Sequence, residues 1–250
     1  MFRYFLVIAL FSFSVFAEES VSYDTALDLY KQGEYKKSIS VLRALHVAGQ
    51  NSLQSYYLEA HNNIKLEKYK TATAKLEAAL EFSKDDPAVT IDLVKILIKR
   101  NSITEARERI ERAIIAHPNI IDLRLLQANV LYRNKQPKGA LQVIEQIKSL
   151  NTSLTEPLLM EAMIYYRLGE YEKAEVSLKW ASELSPDNPD VMNNLGIIYE
   201  KIAVASEQAD EKRKKLEDAR FYLEKASEKA RNNKAIAGNL ERVIARLNES

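Results

Sequence analysis

Residues that could do chemistry are few and widely separated in this chain. There are three histidines, His46, His61 and His117, and no cysteine. None of the histidines lies in the HExxH spacing of a zinc protease, and no glycine-rich phosphate loop or GxSxG nucleophile motif occurs. The absence of cysteine excludes disulfides and thiolate metal sites. We therefore predict a protein that is not an enzyme, and we predict neither a cofactor nor a bound metal.

The strongest pattern is formed by non-polar residues. Within the stretch Leu159 to Pro189, Ala162 is the starting point. Steps of 34 residues in both directions from it reach only small or β-branched residues: Ala26, Ala60, Val94, Ala128 and Gly196. A second series of this kind consists of Ala72, Ala106, Ala140 and Ala174, and large aliphatic residues recur at Leu42, Leu76, Ile110, Ile144 and Leu178. Because helix axes approach to about 8–10 Å only where small side chains meet, the pattern predicts helices packed in a regular repeat.

This pattern resembles the tetratricopeptide repeat, a helix–turn–helix unit of 34 residues. The resemblance rests on the spacing of Ala162, Tyr165, Gly169, Tyr171, Ala174, Leu178, Ala181 and Pro186. It implies an all-α solenoid of about six units, which we place at residues 19–52, 53–86, 87–120, 121–154, 155–188 and 189–233. The sixth unit contains an insertion near residues 202–215, and a capping helix is expected at residues 234–248.

In proteins that the chain resembles, the first helix of each unit lines a groove. By that resemblance three series of positions face the groove, and two of them are apolar or aromatic in most units. The resulting ligand-binding candidates are Tyr57, His61, Ile64, Ile91, Lys95, Ile98, Leu125, Asn129, Tyr132 and Tyr166. The middle series, which continues to Met163 and Ile197, is polar only at His61, Lys95 and Asn129. These three would select a ligand within an apolar groove, although the residue preferences of the repeat would also produce an apolar surface.

A fourth series is basic in every unit. It supplies the candidates Lys65, Lys99, Arg133 and Arg167, and it begins with Lys31 and ends with Lys201. Cations in such a row would attract an acidic peptide or a C-terminal carboxylate. Each also lies near the C-terminal end of a predicted helix, where a cation complements the helix dipole by about 0.3–1 kcal/mol. Both explanations of the series remain open.

The total charge argues against one class of partner. Lys and Arg together number 36, and Asp and Glu together number 35. Since nucleic-acid binding proteins carry a strongly basic patch or overall charge, we predict no nucleic-acid partner.

The N-terminus has a different composition from the rest. Arg3 precedes the apolar run FLVIALFSFSVF from Phe5 to Phe16, and Ala17 follows it. This order of basic, apolar and small residues is typical of a secretory signal peptide over residues 1–17. The apolar run is also shorter than the roughly 20 residues that span a membrane. We expect an exported protein that does not span the membrane, periplasmic in a Gram-negative bacterium and secreted otherwise.

These features predict an exported scaffold that binds a protein or peptide in the groove of a solenoid, and the family resemblance implies a role in cell-envelope assembly. Two alternatives remain open. One is an accessory protein that holds a glycan or lipid, and the other is a structural protein that assembles with itself. Saturable binding of synthetic peptides would favour the first function, whereas light scattering by the purified chain would reveal self-assembly.

Overall fold

A computed structural model describes residues 21–150 and 153–249, and these residues form helices joined by short turns. The predicted signal peptide, residues 1–17, lies outside the described residues. The chain is all-α, as the repeat pattern predicts, and it divides into two compact units between Lys84 and Asp85. Within the described part, no helix is both long enough and apolar enough to cross a membrane.

The described part of the first unit contains four helices: α1 (Tyr23–Lys31), α2 (Tyr35–Val47), α3 (Leu53–Lys65) and α4 (Tyr69–Leu80). Helix α2 packs against α1 and α3, and α4 packs against α3. The buried residues Ala26, Leu42, Leu45 and Leu58 form the apolar core of the first three helices. A buried hydroxyl links them further, since Ser38 Oγ donates to the Ala26 carbonyl oxygen at 2.7 Å and accepts from Asn62 Nδ2 at 2.9 Å.

The second unit has nine helices in its described part. They are α5 (Pro87–Lys99), α6 (Ile103–Ala116), α7 (Ile121–Arg133), α8 (Pro137–Leu150), α9 (Thr155–Leu168), α10 (Tyr171–Leu184), α11 (Pro189–Ala205), α12 (Ala209–Lys229) and α13 (Lys234–Asn248). The second helix of each pair packs against its own first helix and against the first helix of the next pair. First helices also touch one another, α5 with α7, α7 with α9 and α11 with α13. This is the helix arrangement of a solenoid.

Small residues at the interval of 34 lie at the helix contacts. Ala26, Ala60, Val94, Ala128 and Ala162 are all buried. So are the small residues and the large aliphatic partners of the second helices: Ala72, Ala106, Ala140, Ala174, Leu42, Leu76, Ile110, Ile144 and Leu178. The packing role that the sequence predicts for these series is confirmed.

The turn inside each helix pair repeats as well. Five positions at the same interval adopt the left-handed backbone conformation: Gly33, Glu67, Asn101, Lys135 and Gly169, with φ between 57° and 80°. An L side chain in this conformation costs roughly 1–2 kcal/mol, so the three non-glycine residues keep it because the helix packing on either side demands it. In the sixth pair the insertion lengthens the helices instead, α11 to 17 residues and α12 to 21.

Two helix starts follow the local rules for capping. The Asp86 carboxylate accepts a hydrogen bond from the Val89 N–H at 3.1 Å, and Pro87 occupies the first turn of α5. At the start of α11 the Asn188 side chain accepts from the Asp190 N–H at 2.9 Å, and Pro189 follows it. Such caps satisfy N–H groups that have no partner within the helix, and they fix where these first helices begin.

Candidate ligand-binding site

In the first unit, the predicted groove residues Tyr57, His61, Ile64 and Lys65 lie on α3. The rings of Tyr57 and His61 meet edge to face, with their centroids 4.5 Å apart. Tyr30 of α1 approaches His61 with a centroid distance of 6.4 Å. Ile64 is half-buried, and Lys65 is exposed at the end of the helix. The structure therefore brings His61 and two tyrosines together in one partly accessible cluster.

In the second unit, the predicted residues of α5 have unequal exposure. Lys95 and Lys99 are exposed, and Ile91 is half-buried. Ile98, by contrast, is only 8% exposed. Its side chain therefore serves the packing of α5 more than a binding surface.

Helix α7 carries Leu125, Asn129, Tyr132 and Arg133. The side chains of Leu125 and Tyr132 pack against the buried cluster that includes Ile144. Arg133 Nε donates a hydrogen bond to Asn129 Oδ1 at 3.0 Å. The hydrogen bond from Arg133 therefore orients the Asn129 amide.

A pocket of about 570 Å³ lies between α9 and α11 and reaches Asn129 of α7. We call it the α9–α11 pocket. Its apolar lining is formed by Leu159, Met160, Ala162, Met163, Tyr166, Leu178, Ile197 and Ile198. Its polar lining residues are Asn129, Glu156 and Asn194. Apolar walls with a few polar groups, in a volume of roughly 300–1,000 Å³, are typical of ligand sites.

The sequence predicted part of this lining. Asn129 and Tyr166 are predicted ligand-binding residues that line the α9–α11 pocket, whereas Arg167 and the candidates on α5 do not. Met163 and Ile197 hold the repeat position of Asn129, so the apolar end of that series was the signal that could have identified them. Six further lining residues belong to none of the groove-facing series: Glu156, Met160, Ala162, Leu178, Asn194 and Ile198.

A buried carboxylate joins α11 to α13. Arg242 donates from Nε and a terminal nitrogen to the two carboxylate oxygens of Glu200, at 2.8 and 2.7 Å, and Arg246 Nε donates at 2.9 Å. Burial by itself would raise the pKa of Glu200, but the hydrogen bonds and positive charges of the two arginines outweigh it. The pKa of Glu200 therefore lies below its usual range. The ionised carboxylate holds α13 on the helix that forms one wall of the pocket.

One side-chain set in the first unit has the order of a nucleophile, base and acid. The Ser55 Oγ lies 3.0 Å from His46 Nε2, and His46 Nδ1 lies 3.4 Å from Glu59 Oε2. Yet Ser55 is only 2% exposed, and its hydroxyl is already engaged with the backbone of Ser52 in a helix cap. A substrate carbonyl has no access to it. The set links α2 to α3, as expected for a packing histidine.

We also searched the described residues for clusters of metal-ligating side chains. Over residues 21–150 and 153–249, no group of three or more His, Asp and Glu side chains is placed to hold a metal ion.

Two curated proteins resemble the chain in sequence. Over 120 residues it is 28% identical to the UDP-N-acetylglucosamine--peptide N-acetylglucosaminyltransferase of Giardia intestinalis, a match that covers 48% of this chain and 8% of that protein. Over 165 residues it is 25% identical to the BBSome complex member BBS4 homolog of Drosophila melanogaster, covering 66% and 33% of the two chains. The chain thus matches no more than a third of the length of either relative.

Family profiles and a solved structure agree on the fold. Profiles described as tetratricopeptide repeats match residues 63–130 and 162–202, and one described as anaphase-promoting complex, cyclosome, subunit 3 matches residues 99–181. A tetratricopeptide repeat protein from Parabacteroides merdae superimposes with a TM-score of 0.68 at 13% identity, over 89% of this chain and 82% of that one. An identity this low shows the fold alone. With the repeated helix pairs, the matching profiles show that the chain belongs to the tetratricopeptide-repeat family.

Proposed function

We propose that this protein is an exported, non-catalytic scaffold that binds a protein or peptide on the face formed by α7, α9 and α11 of its second unit, in the assembly of the cell envelope. The observation that carries the proposal is the α9–α11 pocket. It has an apolar lining to which Met163 and Ile197 contribute, and Asn129 is one of its few polar groups. An apolar side chain of a partner would gain free energy by leaving water for this pocket, at roughly 25 cal/mol per Å².

The polar lining supports a peptide over a purely apolar ligand. Asn129 and Asn194 each offer an amide that can both donate and accept, which suits the N–H and C=O groups of a polypeptide. A polar group left unmatched on binding costs about 1–3 kcal/mol. These side chains would therefore disfavour a lipid chain, which has no polar group to meet them.

Export is the part of the proposal that rests on residues 1–17. Their order of basic, apolar and small residues supports removal of a signal peptide after Ala17. N-terminal sequencing of the native protein should begin at Glu18. A native chain that still begins with Met1 would contradict export by this route.

Site-specific photo-crosslinking in the native envelope tests the binding function. A photoreactive residue is placed at Met163, which lines the pocket and is 40% exposed, or at Val176 on α10, which is 69% exposed and does not line it. The proposal expects protein adducts from position 163 that are missing from position 176. The adducts should decrease when Ile197 is changed to Glu, since a charge in the apolar lining opposes entry of an apolar side chain.

The other outcomes separate the alternatives. Identical adducts from positions 163 and 176 would show that the pocket is not the binding site. A glycan or lipid adduct at position 163 would favour an accessory protein that holds such a ligand. An adduct between two copies of this chain would favour self-assembly.

A further inference from the structure

The α9–α11 pocket is deeper than a surface groove. Ala162, Leu178 and Ile198 line it and are each no more than 3% exposed, so the pocket extends down to the buried core of the second unit. The first helices α7 and α9 touch each other, as do α11 and α13, whereas the pocket lies between α9 and α11. This gap therefore has the depth to receive a side chain of a partner, and not only to support one on its surface.

One charged side chain lines this apolar pocket. Glu156 is the only charged residue of the lining that the structure describes, and it precedes Met160 by about one helical turn and Met163 by about two. An acid in the first turn of a helix is favoured by the helix dipole and recurs elsewhere in this chain, as Glu105 and Glu172 show. The place of Glu156 in the pocket lining, and not its place in the helix, is therefore what points to a ligand.

The charge of Glu156 is not neutralised within the described part of the chain, where its carboxylate has no ion-pair partner. A Lys or Arg three or four residues later could pair with it on the same helix, but Leu159 and Met160 occupy these positions. A ligand that enters the pocket would withdraw water from this carboxylate, and a charge that loses water without gaining a partner is costly. A ligand that suits the pocket therefore brings a positive charge of its own.

The rest of the lining determines how that charge is carried. Met163 and Ile197 add apolar surface beyond Glu156, and Tyr166 lies at the far end of the α9 wall, about 15 Å from Glu156 along the helix axis. Lys201 lies 6.0 Å from the ring centroid of Tyr166, so a cation is repelled from that end and attracted to the other. Arginine and lysine combine an apolar stem, which can lie along apolar walls, with a charged head that reaches a polar group.

We propose that the α9–α11 pocket binds an arginine side chain of the partner, whose stem lies along Met163 and Ile197 and whose guanidinium group pairs with Glu156. Arginine is favoured over lysine because its guanidinium group is more weakly hydrated and presents several N–H donors in one plane. These donors suit the Glu156 carboxylate together with the amide oxygen of Asn194, which also lines the pocket. This assignment rests on the proposed function and names the residue by which the partner segment is recognised.

Selection of random peptides displayed on phage, with the chain from Glu18 onward as bait, identifies the preferred anchor. The peptides enriched on the wild type should share an arginine next to apolar residues. The variant Glu156→Lys should instead enrich peptides with glutamate or aspartate at that place, a new preference that damage to the fold would not produce. The control Glu172→Lys makes the same charge change in the first turn of α10, at an exposed position outside the pocket lining. It should keep the preference for arginine.

A synthetic copy of the most enriched peptide, labelled with fluorescein, measures the contact itself by fluorescence anisotropy. Citrulline has nearly the shape of arginine without its charge, and replacing the arginine by it should weaken binding to the wild type by about tenfold or more. The same replacement should weaken binding to Glu156→Gln by less than about threefold, because this variant has no carboxylate to pair with the arginine. The difference between the two losses isolates the pairing of arginine with Glu156 from the other contacts of the peptide.

Enriched peptides without a shared arginine would overturn the proposal, as would a Glu156→Lys variant that still prefers arginine. Equal losses from citrulline in the wild type and in Glu156→Gln would also overturn it, and so would a selection that enriches no peptide. Protein adducts at Met163 together with any of these results would leave the scaffold function intact and refute only the arginine anchor. A lack of protein adducts at Met163 would refute the scaffold function itself.

Discussion

Gly196 of α11 and Leu223 of α12 approach so closely that a β-carbon on residue 196 would lie 2.5 Å from Leu223 Cγ and 3.1 Å from the Ala219 carbonyl oxygen. The contact is the last member of the small-residue series, and Leu223 is completely buried. It brings together the two helices that the insertion lengthens. Ile197 and Ile198, the next residues of α11, line the α9–α11 pocket. The close approach therefore helps to position one wall of the candidate site.

The change Gly196→Ala should destabilise the protein. Alanine is favoured over glycine within a helix by about 1 kcal/mol, but here its methyl group would overlap Leu223 and the α12 backbone. Overpacking of this kind costs about 1–3 kcal/mol, so we expect a lower urea midpoint by circular dichroism. Gly238→Ala in α13 is the control. A β-carbon there would have no neighbour within 4 Å, and the change should raise stability by about 0.5–1 kcal/mol. A Gly196→Ala midpoint at or above that of the wild type would contradict the contact.

The fold follows from the sequence because close helix contacts require small residues at a fixed interval. Ala60 and Ala128 show this, since both lie in contacts that exclude solvent completely. The pocket does not follow in the same way, because Met160, Leu178 and Asn194 reach it from three helices and from different repeat positions.

Ion pairs between residues far apart in the sequence are equally hard to predict, because no repeat position identifies the partner. Glu200 lies 34 residues after Tyr166, at the repeat position that Ile64, Ile98 and Tyr132 also hold, and the sequence around it gives no signal of a partner. Its partners, Arg242 and Arg246, lie 42 and 46 residues later, beyond the insertion. Only the packing of α13 against α11 shows that this carboxylate is paired.

Substitutions at two of the left-handed turns should change the free energy of unfolding in opposite directions. Lys135 adopts φ of 59° at the turn before α8, a conformation that glycine adopts without the penalty of a side chain. We expect Lys135→Gly to raise the free energy of unfolding by up to about 1 kcal/mol. Gly169 adopts φ of 77° at the equivalent turn, and Gly169→Ala should lower it by about 1 kcal/mol. Urea titrations followed by circular dichroism measure both. The same sign for the two changes would show that turn strain does not govern these positions.

His46 should make stability depend on pH near neutrality. Burial lowers the pKa of His46, and the charge of Lys75 adds to this, whereas Glu59 opposes it. The folded pKa therefore lies below the ordinary value of 6.5. As the pH falls through about 6.5, the unfolded chain takes up a proton that the folded chain resists, so stability decreases.

Urea midpoints between pH 7.5 and pH 5.5 test this before most carboxylates titrate. The wild type should lose stability over this interval, and His46→Gln should lose less, because glutamine does not titrate. An unchanged slope in the variant would exclude His46 as the source. The reverse result, a wild type that gains stability as the pH falls, would mean that the attraction of Glu59 for the charged imidazole outweighs burial.

Glu200 should produce a second pH effect, at lower pH and in the second unit. Its folded pKa is depressed below the usual value of 4.5, because the hydrogen bonds and charges of Arg242 and Arg246 outweigh burial. An acid of this kind contributes stability that is fully present above its unfolded pKa and is lost as the pH falls through its folded pKa. At pH 7, Glu200→Gln should therefore lower the free energy of unfolding by about 1.5–3 kcal/mol, the usual contribution of hydrogen bonds to a charged group.

The decisive measurement is the difference between the wild type and Glu200→Gln at pH 7 and at pH 3. The difference should shrink at pH 3, because below the ordinary pKa of 4.5 the unfolded chain takes up a proton that folded Glu200 resists, so the stability that the carboxylate contributes is lost progressively. Glu224→Gln is the control, since it removes an exposed ion pair in which Glu224 lies 3.5 Å from Arg220, and such pairs contribute no more than about 1 kcal/mol. A Glu200→Gln difference that stayed constant down to pH 3 would show that packing, and not the charge of the carboxylate, holds α13 on α11. In that case Arg242→Met should be tolerated, whereas the paired carboxylate predicts that it destabilises the protein at pH 7.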